Sequence, residues 1–384
     1  MSESHKYKTI LNVLCLTILM VDSGGGLGLR NIAFVIIFFF ALFSIYQYPA
    51  FNKNFVSIYL IFLLSLIPGI LISVSNLIPI PQIFNWIVSF MLLPIFYFYV
   101  KGSELTQRCF VIAGVIFSYF VIALFFGRLM NISLAISAND YINSHSNGFF
   151  GNKNFLSGDI LPNVYFQGTL SVIICGALSL RNKNFVAFFI ILIGLILAPS
   201  RFGFIVLMLW AGFIFFRKSL IRIIFLPIIL IVAFEILHNL SFGTELLSVF
   251  TGESDSLQVR NGHILSIYRI FQKYPLYFLF GQGPGSIFFT TGTSSLTDNI
   301  EISQLEYIRK YGILSFLLFC LFYFMPLISN LKSDLYIKGS LVLYFIVSFS
   351  NPVLFSIFSM LFLAFAYVEI FDNKTNKYDR IKSL

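Results

Sequence analysis

The chain has 384 residues, of which 58% are hydrophobic and only 11% are charged. Soluble domains are about 45–50% apolar and about 25% charged, so this composition excludes an ordinary water-soluble fold and indicates a chain embedded in a lipid bilayer. The formal net charge of +9 does not indicate nucleic-acid binding, because the basic residues stand between apolar runs and form no basic polar patch.

Twelve apolar stretches are long enough to cross, or nearly cross, a bilayer, which needs roughly 20 helical residues. They predict an all-α fold, a single polytopic membrane domain over residues 1–384 with about twelve transmembrane helices. Several stretches are short, and these are expected to borrow loop residues or to lie within the bundle. The predicted spans are residues 8–21, 32–46, 55–74, 86–100, 110–126, 164–180, 185–197, 204–216, 223–240, 313–328, 336–347 and 353–370.

The lysines and arginines predict the orientation. An even number of spans places both termini on one side, and that side receives sixteen of the 25 basic residues, including Lys8, Arg181 and Arg217. Basic residues favour cytoplasmic loops, so both termini are expected to be cytoplasmic. Two long segments, residues 127–163 and 241–310, are then expected on the outer face. The first is rich in turn-forming residues and is predicted to be irregular.

The second long segment has more predicted order. Ser254 or Asp255 can cap an amphipathic helix over residues 255–273, which ends before Pro275 and is expected to lie on the membrane surface. The following Gly281-Gln282-Gly283-Pro284-Gly285 predicts a tight, exposed turn whose backbone N–H groups can approach a ligand closely.

Arg201 is the most unusual residue in the sequence. Ala198-Pro199-Ser200-Arg201 falls between two apolar helices with almost no loop to solvate a guanidinium. A permanent charge at that depth is costly, and such residues are by default candidates for function. Arg201 is therefore predicted to bind an anion near the outer interface. The alternative is that it snorkels to the lipid headgroups.

The predicted helix 255–273 carries two arginines, Arg260 and Arg269, nine residues apart. At about 100° per residue this spacing is half a turn out of phase, so a straight helix cannot aim both at one ligand. Arg260 is favoured because His263 follows at i+3 on the same face, whereas Arg269 and Lys273 form a basic i,i+4 pair suited to lipid headgroups. The alternative for Arg260 is a solvated surface position.

An acidic segment precedes a helix that is expected to start near Gly312. Asp298, Glu301 and Glu306 are expected to face the outer end of the bundle, where one of them could act as a general base toward a substrate hydroxyl. The alternative is an ordinary helix start, because Asp298 is a good N-cap and early glutamates favour the helix dipole. The spacing alone does not choose between the two.

Three features, in this order, resemble the O-antigen polymerase and ligase superfamily of bacterial envelope membranes. They are Ser200-Arg201 at a helix junction, Arg260 with the downstream Gly281-x-Gly283, and Glu301 placed eleven residues before Gly312. The resemblance extends from the seventh predicted span into the tenth, with a compatible layout elsewhere. Ligases of the superfamily usually carry histidine where this chain has Glu301, and an acidic residue there is more similar to the O-antigen polymerases of the Wzy type.

The resemblance implies a GT-C-like fold and an inverting, metal-independent glycosyl transfer without a cofactor. Undecaprenyl-diphosphate-linked oligosaccharide repeats would be joined on the periplasmic face of the bacterial inner membrane. Arg201 and Arg260 would bind the donor diphosphate, and Glu301 would act as the base. Membrane lipids and, by analogy, the flippase and chain-length regulator of the same pathway are the expected partners. The other candidate substrate-binding residues are His263, Arg269, Gly281, Gly283, Asp298 and Glu306.

Two other functions share most of these features. An O-antigen ligase, which transfers finished polymer to lipid A core, differs mainly at Glu301. A flippase or secondary transporter is expected to show charges near the bilayer midplane and half-repeat symmetry. The sequence has no internal repeat, although Glu235 falls inside the ninth predicted span. A non-enzymatic scaffold leaves Arg201 unexplained.

Overall fold

The computed structural model describes residues 3–47, 51–145, 148–154, 160–198, 200–217, 255–328 and 334–372, which are mostly helical. Several features predicted from the sequence lie outside the described residues. These are the ninth span (223–240) with Glu235, residues 241–254 with the capping Ser254, and the basic residues after position 372.

The helices are numbered along the described chain. They are α1 (Glu3–Val21), α2 (Leu29–Gln47), α3 (Lys53–Ser75), α4 (Ile80–Met91), α5 (Leu93–Ser103), α6 (Gln107–Leu129), α7 (Ser133–Ser144), α8 (Val172–Ser179), α9 (Phe185–Leu197), α10 (Arg201–Phe216), α11 (Asp255–Lys273), α12 (Pro275–Phe280), α13 (Ser303–Ile328), α14 (Leu335–Val347) and α15 (Ile357–Tyr367). Two antiparallel hairpins accompany them, β1 (Gly148–Asn154) with β2 (Ile160–Phe166) and β3 (Phe288–Thr290) with β4 (Ser295–Thr297).

Five helical segments of the described chain are long and apolar enough to cross a membrane, and five further apolar helices are shorter. The long segments are Leu29–Gln47, Phe55–Ser75, Ile80–Ser103, Gln107–Leu129 and Ser303–Ile328. Large apolar side chains point outward from them, as for Phe39 and Leu64, which are 68% and 63% exposed. These features confirm a helical, membrane-embedded protein. The total of twelve spans stays a prediction.

Aromatic rings from four helices fill the centre of the bundle. Phe62 of α3 stacks on Phe322 of α13 with the ring centroids 5.5 Å apart, and Phe322 stacks on Tyr367 of α15 at 5.2 Å. Phe90 of α4 meets Phe62 edge to face at 5.2 Å. Such pairs contribute about 0.5–1.5 kcal/mol each beyond the area they bury. This packing gives part of the abundant phenylalanine a structural role and fixes α13, whose N-terminal end leads to the candidate site.

Ion pairs of Lys8 and Arg181 mark one end of the bundle. Lys8 Nζ lies 2.6 Å from Glu104 Oε1, and Arg181 Nε lies 3.0 Å from Asp334 Oδ2. These pairs join the start of α1, the end of α5, the turn after α8 and the start of α14. The predicted orientation places Lys8 and Arg181 on one side, and the structure brings both to this end. We call it the basic end and the opposite one the site end.

The described part of residues 127–163 is regular, so the prediction of an irregular segment is wrong. It contains α7 and most of the β1–β2 hairpin. Because this hairpin and the β3–β4 hairpin consist of strands, the all-α prediction applies only to the membrane-spanning part. Phe150 and Phe166 meet edge to face at 4.8 Å, and Phe166 packs on Phe117 of α6 at 5.4 Å. The hairpin is stabilised by this contact with a distant helix, which local turn-forming residues do not reveal.

The glycine-rich turn after α12 is buried, whereas the sequence predicts an exposed one. Gly281 ends α12 with φ +84°, and Gly283 has φ +94°. The backbone N–H groups of Gln282 and Gly283 donate to the carbonyl oxygens of Arg309 and Lys310, at 2.6 and 3.0 Å. These two donors therefore satisfy helix carbonyls and are not available to a ligand.

The helix expected near Gly312 begins earlier, at Ser303. Gly312 is a break inside α13, with φ +83°. A Cβ at this position would clash with the carbonyl oxygen of Leu279 in α12. The part of α13 before the break, residues 303–311, contains charged residues. It therefore forms no continuous apolar stretch in the sequence, and the helix start could not be predicted from one. Glycine is thus required at 312 both for its backbone conformation and for the close approach of α12.

Substituting Gly312 with Ala should destabilise the protein by about 2–4 kcal/mol, because backbone strain and a backbone clash both apply. Gly28→Ala is the matched control. Gly28 has φ +76°, but a Cβ there would meet nothing within 4 Å, so only the strain applies, at about 1–2 kcal/mol. Thermal unfolding of both variants in detergent measures the difference. Equal losses in the two variants would contradict the close approach of α12 to α13.

Candidate functional site

An ion pair between Arg260 and Glu301 lies at the site end. Arg260 Nε donates to Glu301 Oε2 at 2.9 Å, and the Arg260 guanidinium also donates to the backbone carbonyl of Ser350 at 3.1 Å. The Arg260 and Glu301 side chains are 23% and 45% exposed. The structure therefore brings together the two residues that the sequence singles out on separate segments, and it leaves both accessible to a ligand.

Hydrogen bonds at the start of α13 hold Glu301 next to Ser350. The Ser303 N–H donates to the Ser348 carbonyl at 3.1 Å, and the Ser303 hydroxyl donates to the Asn351 carbonyl at 2.9 Å. The turn between α14 and α15 is thereby fixed against the acidic segment. Arg260 reaches this junction from α11, so three separate parts of the chain build the pair.

Two residues that sequence reasoning missed adjoin this ion pair. The Tyr165 hydroxyl donates to Asn351 Oδ1 at 3.3 Å, and Asn351 Nδ2 donates to Ser350 Oγ at 2.9 Å. Burial raises the pKa of the Tyr165 phenol, and the charges of Glu301 and Arg260 push it in opposite directions. Tyr165 therefore lies within electrostatic reach of the pair. We call Tyr165, Arg260, Glu301, Ser350 and Asn351 the Arg260 cluster.

A weak sequence feature could have found Asn351 but not Tyr165. A polar break, Ser348-Phe349-Ser350-Asn351-Pro352, lies between two apolar helices. Polar residues between membrane helices are candidates for function. Tyr165 is one of 19 tyrosines, and nothing around it in the sequence marks it. Only the β1–β2 hairpin brings it to the cluster.

His263 lies on the same helix as Arg260 but is buried, with 4% exposure. Its Nδ1 is 2.7 Å from the hydroxyl oxygen of Thr290 in β3. Arg260 and His263 were predicted to share one face of the helix. In the structure Arg260 is partly exposed, whereas His263 packs against the β3–β4 hairpin. Burial lowers the pKa of His263 below its ordinary value of 6.5, against the opposing charges of Glu301 and Glu306. A neutral His263 therefore belongs to the folded protein at neutral pH.

Acidification should destabilise the fold through His263. The unfolded chain takes up a proton near pH 6.5, but the folded protein does so only at lower pH, so stability falls as the pH drops from about 6.5 toward the folded pKa. His263→Gln should therefore lose less thermal stability than wild type between pH 7.5 and pH 5.5. His145→Gln, at a histidine that follows α7 and is not buried in the core, is the control. An unchanged pH dependence in His263→Gln would contradict the buried neutral state.

Glu306 is enclosed by two cations. Arg309 binds it through both oxygens, at 2.9 and 2.7 Å, and Lys310 Nζ lies 2.6 Å from Oε1. All three side chains are at most 3% exposed. Arg309 also reaches the Ser286 hydroxyl at 2.9 Å and the Asp298 carbonyl at 3.0 Å. This buried trio ties the acidic segment to the turn after α12, and it keeps Glu306 out of the Arg260 cluster.

Arg201 is the first residue of α10, and its side chain is not among the described groups. Gly203, two residues further, approaches Leu170 of the segment that follows β2. At the other end of α10, Arg217 lies over the ring of Tyr336 at the basic end, with 5.8 Å from the guanidinium carbon to the centroid. The backbone of Arg201 therefore lies at the site end, opposite Arg217; the predicted place near the outer membrane interface stays a prediction.

The remaining predicted site residues lie apart from the Arg260 cluster. The side chains of Arg269 and Asp298 are exposed, and in the described residues neither forms a hydrogen bond or an ion pair with the cluster. Asp298 contributes through its backbone, which accepts a hydrogen bond from Arg309. Gly281 and Gly283 shape the buried turn. The structure thus unites Arg260 with Glu301, assigns Glu306 to a buried trio and places Arg269 on the surface.

The Arg260 cluster combines an anion-binding group with a proton acceptor at an accessible position. A guanidinium binds phosphate oxygens through paired N–H donors and keeps its charge. A carboxylate beside it can accept a proton from a bound hydroxyl. No protein-family model, no curated protein and no solved structure matches this chain. The fold and the site therefore define a polytopic helical membrane protein with a partly exposed Arg–Glu pair at one end.

Proposed function

We propose that this chain is a glycosyltransferase that joins lipid-linked oligosaccharide repeats into polysaccharide, as the O-antigen polymerases do. The observation that carries the proposal is the 2.9 Å contact between Arg260 and Glu301. The sequence resemblance assigns these two residues to the donor diphosphate and to the base, and the pairing supports a shared site. Its position at the end of a membrane-embedded bundle suits a substrate with a polyprenyl tail in the lipid and its sugars in water.

In the proposed reaction, the hydroxyl oxygen of the acceptor sugar attacks the anomeric carbon of the donor. The bond from that carbon to the diphosphate oxygen breaks, and the hydroxyl proton passes to Glu301. The departing undecaprenyl diphosphate gains negative charge, which the guanidinium groups of Arg260 and Arg201 stabilise. Bound diphosphate competes with Glu301 for the Arg260 guanidinium, so donor binding releases the carboxylate for proton transfer. This displacement inverts the configuration at the anomeric carbon.

The orientation proposed for the protein follows from its two ends. The basic end, with Lys8 and Arg181, faces the cytoplasm together with both termini. The Arg260 cluster then faces the periplasm of the bacterial inner membrane, where lipid-linked repeats are delivered by a flippase. A chain-length regulator is the other protein partner expected there. Neither a metal nor an organic cofactor is required, since arginines supply the positive charge.

The glycan profile of a strain lacking the gene tests this function. We expect lipid A core capped by a single repeat unit, and long chains restored by the wild-type gene. Bare core with accumulated lipid-linked polymer would identify a ligase instead. Loss of all outward-facing repeats would identify a flippase.

A further inference from the structure

A cavity lies at the site end, between the α3–α4 loop and the turn after α12. Its volume is about 430 Å³, within the ~300–1,000 Å³ of typical small-ligand pockets. Five side chains with hydrogen-bonding groups line it, namely Asn76, Gln82, Tyr277, Gln282 and Ser286. The Ser73 hydroxyl donates to the Pro284 carbonyl at 2.8 Å and joins the two walls. The cavity is thus built by residues that neither the sequence resemblance nor the Arg260 cluster uses.

Arg309 determines which groups this cavity presents. Its guanidinium, which can only donate, lies 3.1 Å from the side-chain oxygen of Gln282 and 2.9 Å from the Ser286 hydroxyl oxygen. Both oxygens therefore act as acceptors toward Arg309. The amide N–H groups of Gln282 and the hydroxyl hydrogen of Ser286 are left as donors for another partner. Arg309 is fully buried, with 0% exposure. By occupying the two oxygens, it leaves Gln282 and Ser286 to act as hydrogen-bond donors toward a ligand.

The opposite wall supplies groups of both kinds. Asn76 and Gln82 are exposed, and within the described ranges their side chains make no hydrogen bond. Each amide can donate and accept at once, which matches the neighbouring hydroxyls of a sugar ring. Leu77 and Ile287 add apolar surface on which the C–H groups of a sugar can pack. A simple anion would use only the donors, and an acyl chain would leave all the polar groups unpaired.

Arg309 links the wall of the cavity to the acidic segment. Arg309 contacts Ser286 on the cavity side and the Asp298 carbonyl, three residues before Glu301, on the other. One rigid guanidinium therefore holds the cavity wall and the segment that carries Glu301 in a fixed relation.

We propose that this cavity binds a saccharide unit of the lipid-linked glycan, through Asn76 and Gln82 on one wall and Gln282 and Ser286 on the other. The proposal rests on the proposed function for the identity of the glycan. It adds a sugar-recognition site, separate from the diphosphate and the base. Recognition of several hydroxyls here also gives the enzyme selectivity for its own repeat unit.

The test measures binding of the repeat-unit oligosaccharide, released from lipid by mild acid and fluorescently labelled, to the full chain in lipid nanodiscs. Nanodiscs avoid sugar-headed detergents, which compete for such a site. The variants are the double substitution Asn76→Ala and Gln82→Ala, and Ser286→Ala, which keeps the carbonyl that Arg309 also contacts. Asn182→Ala, on a cavity of about 520 Å³ at the basic end, is the matched control.

We expect binding about tenfold or more weaker in the double variant and several-fold weaker in Ser286→Ala, with Asn182→Ala unchanged. Binding within twofold of wild type in both site variants would overturn the proposal. Competition by inorganic phosphate as strong as by the oligosaccharide would also overturn it in favour of an anion site. If the wild-type protein makes no polymer but the variants still lose oligosaccharide binding, the sugar site stands and the polymerase function falls.

Discussion

Arg260→Ala should abolish long-chain polysaccharide while leaving the protein in the membrane. We expect at least about a 100-fold loss of polymerising activity, the effect usual for removing one fixed group that stabilises developing charge. Arg260 is 23% exposed, and its loss leaves the partly solvated Glu301 without burying an unpaired charge, so the fold should survive. Polymer length on gels and protein level in isolated membranes are the two measurements.

Two further substitutions on the same helix sharpen this test. Arg260→Lys keeps the charge but loses the planar set of N–H donors, so it should restore activity only in part. Lys273→Ala removes a positive charge from the exposed end of α11 and should leave polymer length unchanged. Normal long chains in Arg260→Ala, with the protein present at wild-type level, would exclude the assigned role.

Glu301→Gln should reduce activity by about 10²–10⁴-fold, the usual contribution of a general base. The amide has nearly the same shape, and its oxygen can still accept from Arg260 Nε, so the local structure is kept while the proton acceptor is lost. Initial rates with saturating donor and acceptor measure the effect. A loss confined to the acceptor KM, with kcat unchanged, would assign Glu301 to binding instead.

Glu104→Gln is the charge-matched control for Glu301. Glu104 lies at the basic end, where Lys8 and His5 hold its carboxyl and lower its pKa. Its substitution removes the same charge from the opposite end of the bundle. Activity within about twofold of wild type is expected, because an exposed ion pair contributes only about 0–1 kcal/mol to stability.

Local sequence patterns predicted part of the site well. The structure has a helix over Asp255–Lys273, where the sequence predicts one, and its C-terminal end is marked by the following Pro275. Helix phase predicted that only one of Arg260 and Arg269 lies in the site, and Arg260 was favoured because His263 follows at i+3; the structure pairs Arg260 with Glu301. Both predictions depend on local information, the helix end on a strong terminator and the restriction to one arginine on spacing within one helix.

Features that depend on distant contacts could not be predicted in this way. Glu306 looked like a candidate base until burial paired it with Arg309 and Lys310, and the N–H groups of the glycine-rich turn proved to be bound to helix carbonyls. Tyr165 reaches the cluster only because Phe150 and Phe166 fix a hairpin on α6. Each case is decided by packing between segments far apart in the chain, which no local pattern encodes.

Reconstitution of the purified protein with its lipid-linked repeat unit tests the central claim most directly. Liposomes containing the wild-type chain and undecaprenyl-diphosphate-linked repeats, with chelator present and no other protein, should yield a ladder of products that grows by one repeat per step. The Arg260→Ala protein, incorporated at the same density, should leave the repeats unjoined. Failure of the wild-type protein to join repeats, or an equal ladder from Arg260→Ala, would contradict a polymerase centred on Arg260 and Glu301.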